Sequence, residues 1–349
     1  MVVEKDPDRT NGDSAAPPRR ATIYDIARDA GVSTSTVSRA LSRPERVNSA
    51  TRAHVLTVAE RLGYAADPTV RSIEWGRTKT AALLVPDITN PHFFDIIRGG
   101  NRQASAAGFT LVLAETEESP DLEIRHADRL KQNVDGFVLA SSRMPDKHIQ
   151  DLAEHHTLVL LNREVDGVSS VIVDPDDGSR QIVEHLASLG HRSLAYLAGP
   201  LTSWVGARRW RALAAAAQSL GLTAKRLGPF QPAVVSGPAA ADAGLGCGAT
   251  ALVAHNDLLA IGMLQRLVER GIRVPEDLSV VGYDDIFGAD FCSPPLTTMA
   301  GPHEKAGRAA VDLLMAALET RNAAAAVRRV TLPSHLVIRA STAAAAPRA

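Results

Sequence analysis

ATIYDIARDAGVSTSTVSRALS, residues 21–42, decides how the chain begins. Ile23, Ile26, Ala27 and Ala30 recur at i, i+3, i+4 and i+7, one apolar face of a helix over Ile23–Ala30. Thr22 followed by Asp25 predicts a capping box with Asp in place of Glu. Gly31 stops this helix and supplies a left-handed turn residue. Ser33 caps a second helix, Thr34 to Ser42, whose inner face is Val37, Ala40 and Leu41. A third helix runs from about Ser49 to Leu62, with Val55, Val58, Ala59 and Leu62 on one side and Gly63 at its end. Helix, tight glycine turn, helix and support helix make a helix-turn-helix.

The second helix carries chemistry. Outside its core face it presents Thr34, Ser35, Thr36, Ser38, Arg39 and Ser42. Hydroxyl side chains let a helix approach a DNA backbone and donate to phosphates, and Arg39 can offer its fork to guanine O6 and N7. A purely structural helix seldom exposes five Ser and Thr, mediocre helix formers, on one short face. Charge agrees. Arg19 to Arg77 holds ten arginines and no lysine against six acids, a net +4, whereas the chain from Thr78 onward carries 26 basic and 29 acidic residues. A basic head on a faintly acidic body suits an anionic partner for the head.

Residues 1–20 are polar and read as a disordered tail, or as an arm touching phosphates through Arg19 and Arg20. Residues 64–77 link head and body, with room for one or two helical turns over Thr69–Trp75. From Thr80 onward, apolar runs such as AALLVP (81–86), GFVLA (136–140), LAYLA (194–198) and LSVVG (278–282) alternate with amphipathic helices, and a last strand is predicted over 328–338. Unbroken apolar strands between helices indicate parallel sheets covered on both faces. About ten strands over roughly 270 residues exceed one compact sheet, so two doubly wound lobes are expected. Residues 228–248, with three prolines and five glycines, yield no clear helix. Ligands of such sheets bind past the carboxyl ends of the strands. The residues there include Asp87–Phe94, Asn162–Arg163, Asp174, Gly199–Arg209, His255–Asp257 and Tyr283–Asp285. Carboxylates and amides beside aromatic faces suit a sugar-like ligand.

The 349 residues balance 38 basic against 39 acidic side chains, so the chain as a whole is no basic polymer binder. No run of 18 apolar residues exists and the N-terminus has no apolar core, so a soluble, cytoplasmic protein without membrane contact is expected. Cys247 and Cys292 are too few for a disulfide scaffold or a thiolate zinc site. An enzyme is disfavoured. Gly244, Gly246 and Gly248 precede a strand where a dinucleotide loop follows one, and no GxSxG elbow occurs. His155-His156 and His303-Glu304 lack zinc-ligand spacing and read as surface residues. No catalytic residue, metal or cofactor is expected.

Seven segments in order resemble the LacI/GalR family of transcriptional repressors: 21–42, VPDITNPHFF (85–94), VDGFVLASS (134–142), VEHLASLGHRSLAYLAGP (183–200), HNDLLAIGML (255–264), RGIRVPEDLSVVGYDD (270–285) and SPPLTTM (293–299). The resemblance implies an all-α helix-turn-helix head and a body of two parallel-sheet lobes like that of periplasmic binding proteins. It implies a homodimer on a pseudo-palindromic double-stranded operator, controlled by a small, sugar-like effector in the interlobe cleft. A purine or nucleoside, or a protein partner, is the alternative effector. The implied boundaries are a tail over 1–20, the head over 21–64, a hinge linker over 65–79 and the body over 80–342. The N lobe would comprise about 80–174 and 300–327, the C lobe about 175–299 and 328–342. Carried over residue by residue, Tyr24, Ser33, Thr36, Ser38 and Ser42 match phosphate- or base-contacting positions. Thr34 and Ser35 match the pair that sets operator preference, Arg39 a guanine reader, and Ile73 the hinge residue that wedges into the minor groove. His92 and Phe93 match effector-wall positions, and Arg209, Asn256 and Asp284 the polar residues that hold the effector. Asn162, Asp174, Trp204 and Phe230 are further wall residues. Phe93 and Phe230 can serve packing or stacking, and Arg209 and Asp284 a structural pair or a ligand. The hinge departs from the family pattern, which has Pro and Asn where Ala66 and Asp67 stand and Leu where Ile73 stands.

Overall fold

The computed structural model describes residues 21–42, 46–62, 64, 78–319 and 326–345. The chain divides into two units, Met1–Thr78 and Lys79–Ala349.

The head contains α1 (Ile23–Asp29), α2 (Thr34–Ser42) and α3 (Ser49–Arg61). The Thr22 amide and hydroxyl both donate to Asp25, at 2.9 and 2.7 Å, as the capping box predicts. Gly31 takes φ 64°. Asn48 caps α3 by accepting from the Ala50 amide at 2.8 Å. Ile26, Ala27, Val37, Ala40, Val55 and Val58 form the head's own small core.

The body holds two six-stranded sheets. In chain order its elements are β1 (Thr80–Val85), α4 (His92–Ala106), β2 (Thr110–Glu115), α5 (Pro120–Leu130), β3 (Gly136–Ala140), α6 (Asp146–His155), β4 (Thr157–Leu161), β5 (Ser169–Val173), α7 (Pro175–Ser188), β6 (Ser193–Leu197), α8 (Trp204–Ser219), β7 (Thr223–Leu227), α9 (Gly237–Gly246), β8 (Ala251–Ala254), α10 (Asp257–Glu269), β9 (Ser279–Tyr283), β10 (Thr297–Ala300), α11 (His303–Glu319), β11 (Arg329–Leu332) and β12 (His335–Val337). The N-lobe sheet runs β11-β5-β4-β3-β1-β2, all parallel. The C-lobe sheet runs β12-β10-β9-β8-β6-β7, with only β12 antiparallel. Strand period 2 sends alternate side chains to opposite cores. Leu83 and Val85 join one N-lobe cluster and Ala82 and Leu84 the other. Ala195 and Leu197 divide from Leu194 and Tyr196 in the same way in the C lobe.

Three elements differ from the sequence reading. The single strand expected over 328–338 is two strands in different sheets. Pro333 has no N–H to continue a ladder, so β11 pairs with β5 in the N lobe and β12 with β10 in the C lobe. Residues 329–332 thus belong to the N lobe, against their expected place in the C lobe. Within 228–248 the helix α9 forms despite its glycines, because they let it meet α10 backbone to backbone. A Cβ on Gly237 would stand 2.1 Å from Gly262 C. The edge strand β7, TAKRL, has too polar a face to announce itself.

The chain crosses between lobes three times, at Asp174, at Gly301–Pro302 and at Pro333–Ser334.

Candidate functional sites

In the head, α2 exposes Ser35, Ser38 and Arg39, with Ser33 exposed just before it and Thr34 and Thr36 half-buried. Ser33 Oγ accepts from the Thr36 amide at 3.1 Å and lies 2.8 Å from the Thr36 hydroxyl. Arg39 folds back along its helix, donating from Nε to the Ser35 carbonyl at 3.0 Å and from Nη2 to the Ser35 hydroxyl at 3.1 Å. Exposed bonds of this kind contribute about 1 kcal/mol each, and a bidentate guanine contact about 1–3 kcal/mol. The fork can therefore exchange Ser35 for a base edge. Tyr24 is 70% exposed on α1. The side chain of Ser42, together with Ile73 and the rest of the hinge over 65–77, lies outside the described residues.

In the body, a cavity of about 20 Å³ touches all three crossovers, at Asp174, Gly301 and Ser334. Such a volume holds about one water. Arg209, on the second turn of α8, donates from Nη1 to the His255 carbonyl at 2.7 Å and from Nη2 to Asp284 Oδ1 at 3.1 Å. Its guanidinium lies 4.0 Å from the centre of the Tyr283 ring. Asp284 follows β9 with φ 105°, a left-handed value that costs a non-glycine residue about 1–3 kcal/mol. Its amide donates to the Met299 carbonyl at 2.8 Å, and its own carbonyl is 3.2 Å from His303 Nε2.

His92 and His303 are the first residues of α4 and α11. Those helices touch backbone to backbone: a Cβ on Gly307 would stand 2.1 Å from the Ile96 carbonyl oxygen, and one on Gly99 2.0 Å from that of Glu304. The close crossing brings the two imidazoles edge to face with centroids 4.3 Å apart. His92 Nδ1 is 3.5 Å from Asp284 Oδ1, too far and misaligned for a hydrogen bond. Among the described residues, His92 Nδ1, His303 Nδ1 and Arg209 Nε are buried without hydrogen-bond partners. Each such atom ordinarily costs about 1–3 kcal/mol.

Burial drives the His92 pKa down to about 3, against the pull of Asp284, and lowers that of His303 in the same way. Burial alone would raise the Asp284 carboxyl, but His92, Arg209 and His303 outweigh it and hold the group below its ordinary range. With the imidazoles neutral near pH 7, Arg209 is the full cation of the set. The site is a neutralised ion pair flanked by two neutral donor–acceptor rings.

Residues 22–67 match the family described as bacterial regulatory proteins, lacI family, and residues 183–342 match a periplasmic binding protein-like domain. The HTH-type transcriptional repressor CytR of Escherichia coli (strain K12) is 31% identical over 330 residues, covering 92% of this chain and 96% of CytR. The chain belongs to the lacI family. It is a DNA-binding transcriptional regulator and not an enzyme. The repressor PurR of Haemophilus influenzae (strain PittEE) is 30% identical, covering 92% of this chain and 98% of PurR. The structure of a lac repressor dimer bound to operator and an anti-inducer superposes with TM-score 0.74 at 27% identity, covering 93% of this chain and all of that one. That of a transcriptional regulator CelR–cellobiose complex does so with TM-score 0.68 at 31% identity, covering 92% of this chain and all of that one.

The lacI-family positions do not all meet at the cavity. His92, Asn162, Asp174, Arg209 and Asp284 line it. Asn162 uses its Oδ1 to accept from the Val173 amide at 3.1 Å, and Asp174 caps α7 through the amides of Asp176 and Asp177. Phe93 instead packs into the N-lobe core, 4.8 Å from the His92 ring. Asn256 caps α10, accepting from the Leu259 amide at 3.0 Å and donating to the Pro232 carbonyl at 3.0 Å, so both ends of its amide are engaged. Trp204 packs under Arg208, 5.2 Å from its guanidinium, and Phe230 against the C-lobe core. His303, expected at the surface, lines the cavity, as do Tyr283 and Ser334.

Proposed function

We propose that the protein is a cytoplasmic homodimeric repressor that reads a pseudo-palindromic operator through α2 and is switched by a small polyhydroxylated, sugar-like effector in the interlobe cavity. The observation that carries this reading is the Arg209–Asp284 pair at the crossovers, beside a cavity with room for about one water. A ligand that uses the pair must part the lobes to enter, so occupancy and lobe orientation are one equilibrium. Paired hydroxyls suit an Arg–carboxylate pair, which offers a donor fork and an acceptor side by side. CelR in complex with cellobiose and lacI-family regulators with bound ribose are among the similar structures, which supports the sugar class. A nucleobase needs an open aromatic face. Tyr283 is covered by Arg209, Phe93 is packed in the N-lobe core and Phe230 lies half-buried against the C-lobe core, which favours a sugar over a purine. Among the described residues no helix is long and apolar enough to cross a membrane, in keeping with a protein that meets DNA.

Thermal denaturation in panels of pentoses, hexoses, disaccharides and nucleosides tests the reading. A sugar should raise the unfolding midpoint of the parent and leave Arg209→Ala unmoved. A response confined to nucleosides would overturn the sugar assignment.

A further inference from the structure

The cavity brings together two imidazoles and a carboxylate whose donor atoms, one from each of His92, Asp284 and His303, all lie within 4.8 Å of one another. Nothing in the sugar reading requires two histidines here. Their arrangement is also a poor hydrogen-bonding one, since Nδ1 of both rings is buried without a partner among the described residues. The 3.5 Å between His92 Nδ1 and Asp284 Oδ1 is too long for a hydrogen bond. It is a natural spacing for two donors on one ion: atoms about 2.1 Å from a tetrahedral metal stand roughly 3.4 Å from each other.

We propose that His92, His303 and Asp284 bind a late first-row divalent ion that ties the two lobes together. Two imidazoles and one carboxylate suit zinc, nickel, cobalt or iron(II), and three protein ligands leave a position open for water or a ligand oxygen. The ligands come from both sides of the cleft. His92 and His303 open the packed N-lobe helices α4 and α11, whereas Asp284 follows the C-lobe strand β9. Arg209 already hydrogen-bonds the carboxylate at 3.1 Å, the kind of outer contact that ligating carboxylates carry. Asp174 also lines the cavity, its Oδ1 accepting from the first amides of α7.

The ion site rests on these three side chains and not on the effector being a sugar, so the two readings fail separately. The test uses the full chain, freed of any affinity tag and treated with chelator, titrated with cobalt(II) by visible absorption and with zinc in competition against a chromophoric chelator. One ion per chain is expected, with the intense visible bands of low-coordinate cobalt. His303→Gln and His92→Ala should each weaken binding about tenfold or more, while His155→Ala, at an exposed position, binds like the parent. A near-parental unfolding transition in each variant ensures that lost binding reflects a lost ligand. Failure of the parent to hold zinc or cobalt at micromolar concentration overturns the proposal, and so does parental affinity in both histidine variants. Sugar-dependent thermal shifts on the same preparation report the effector reading independently.

Discussion

We expect operator reading to turn on Arg39 and effector binding on Asp284. Among the described residues Arg39 hydrogen-bonds to Ser35 alone, so truncating it should remove the proposed base contact without loosening the fold. Arg39→Ala should lose about 1–3 kcal/mol of discrimination between operator and random DNA per half-site. Ser38→Ala should weaken both more evenly. Footprinting that finds undiminished sequence preference in Arg39→Ala would show that α2 does not read bases through that residue. Asp284 is different because its partner is buried. Asp284→Asn leaves Arg209 without a counter-charge, a change that costs about 3–5 kcal/mol in comparable buried pairs. Urea unfolding should show a loss of that order, and a loss under about 1 kcal/mol would mean that the pair is not closed in solution. In chelator-treated protein His92 adds a pH signature. Its folded pKa of about 3 lies below the unfolded value of 6.5, so below about pH 6.5 the unfolded chain takes up a proton that the native state refuses. Stability therefore falls on acidification, by at most about 1.4 kcal/mol per pH unit for this group. His303 and His255 act in the same sense, while Asp257, its carboxyl raised by burial, acts in the opposite one. His92→Gln should flatten the decline between about pH 6.5 and 4 relative to the parent. An unchanged slope would mean that His92 is solvated in the native state.

Among the elements, α4 and α11 set the geometry of the cleft, and their contact depends on glycine. Gly307→Ala gains helix propensity of up to about 1 kcal/mol, but its Cβ would meet the Ile96 carbonyl at 2.1 Å. Forced overpacking costs about 1–3 kcal/mol or more. The clash wins, the unfolding midpoint of the body should fall, and the His92 and His303 rings should separate. A stabilised Gly307→Ala would contradict the close crossing. Element by element, the sequence was legible where pattern and burial agree. The head helices follow from the 3.6-residue period and their capping residues, and the central strands from continuous apolar runs. It misled where tertiary contact overrides local signal. The helix α9 survives its glycines through its contact with α10, and residues 328–338 split because Pro333 ends one ladder and the chain changes lobe. The site shows the same limit. His92 and His303 are 211 positions apart in the numbering, and no spacing rule joins them. Asn256 has the residue type of a ligand and the local position of a helix cap, and the structure uses it as the cap.

At the scale of the whole molecule, a DNA-reading head is joined to a two-lobed body that carries an ion pair at its crossovers. Two units in one regulator matter only if their equilibria are linked. A ligand can alter operator affinity only through a difference in its affinity for the two body states, and operator must alter ligand affinity by the same factor. Ile73 and the hinge over 65–77, outside the described residues, are the segment through which we expect this coupling to pass. The most direct measurement is calorimetric titration of the full chain with the sugar identified by thermal screening, once alone and once saturated with operator DNA, alongside operator titrations with and without that sugar. The account predicts two different sugar dissociation constants, about 5- to 150-fold apart, and the same ratio between the operator constants. Equal constants in the presence and absence of operator would contradict it.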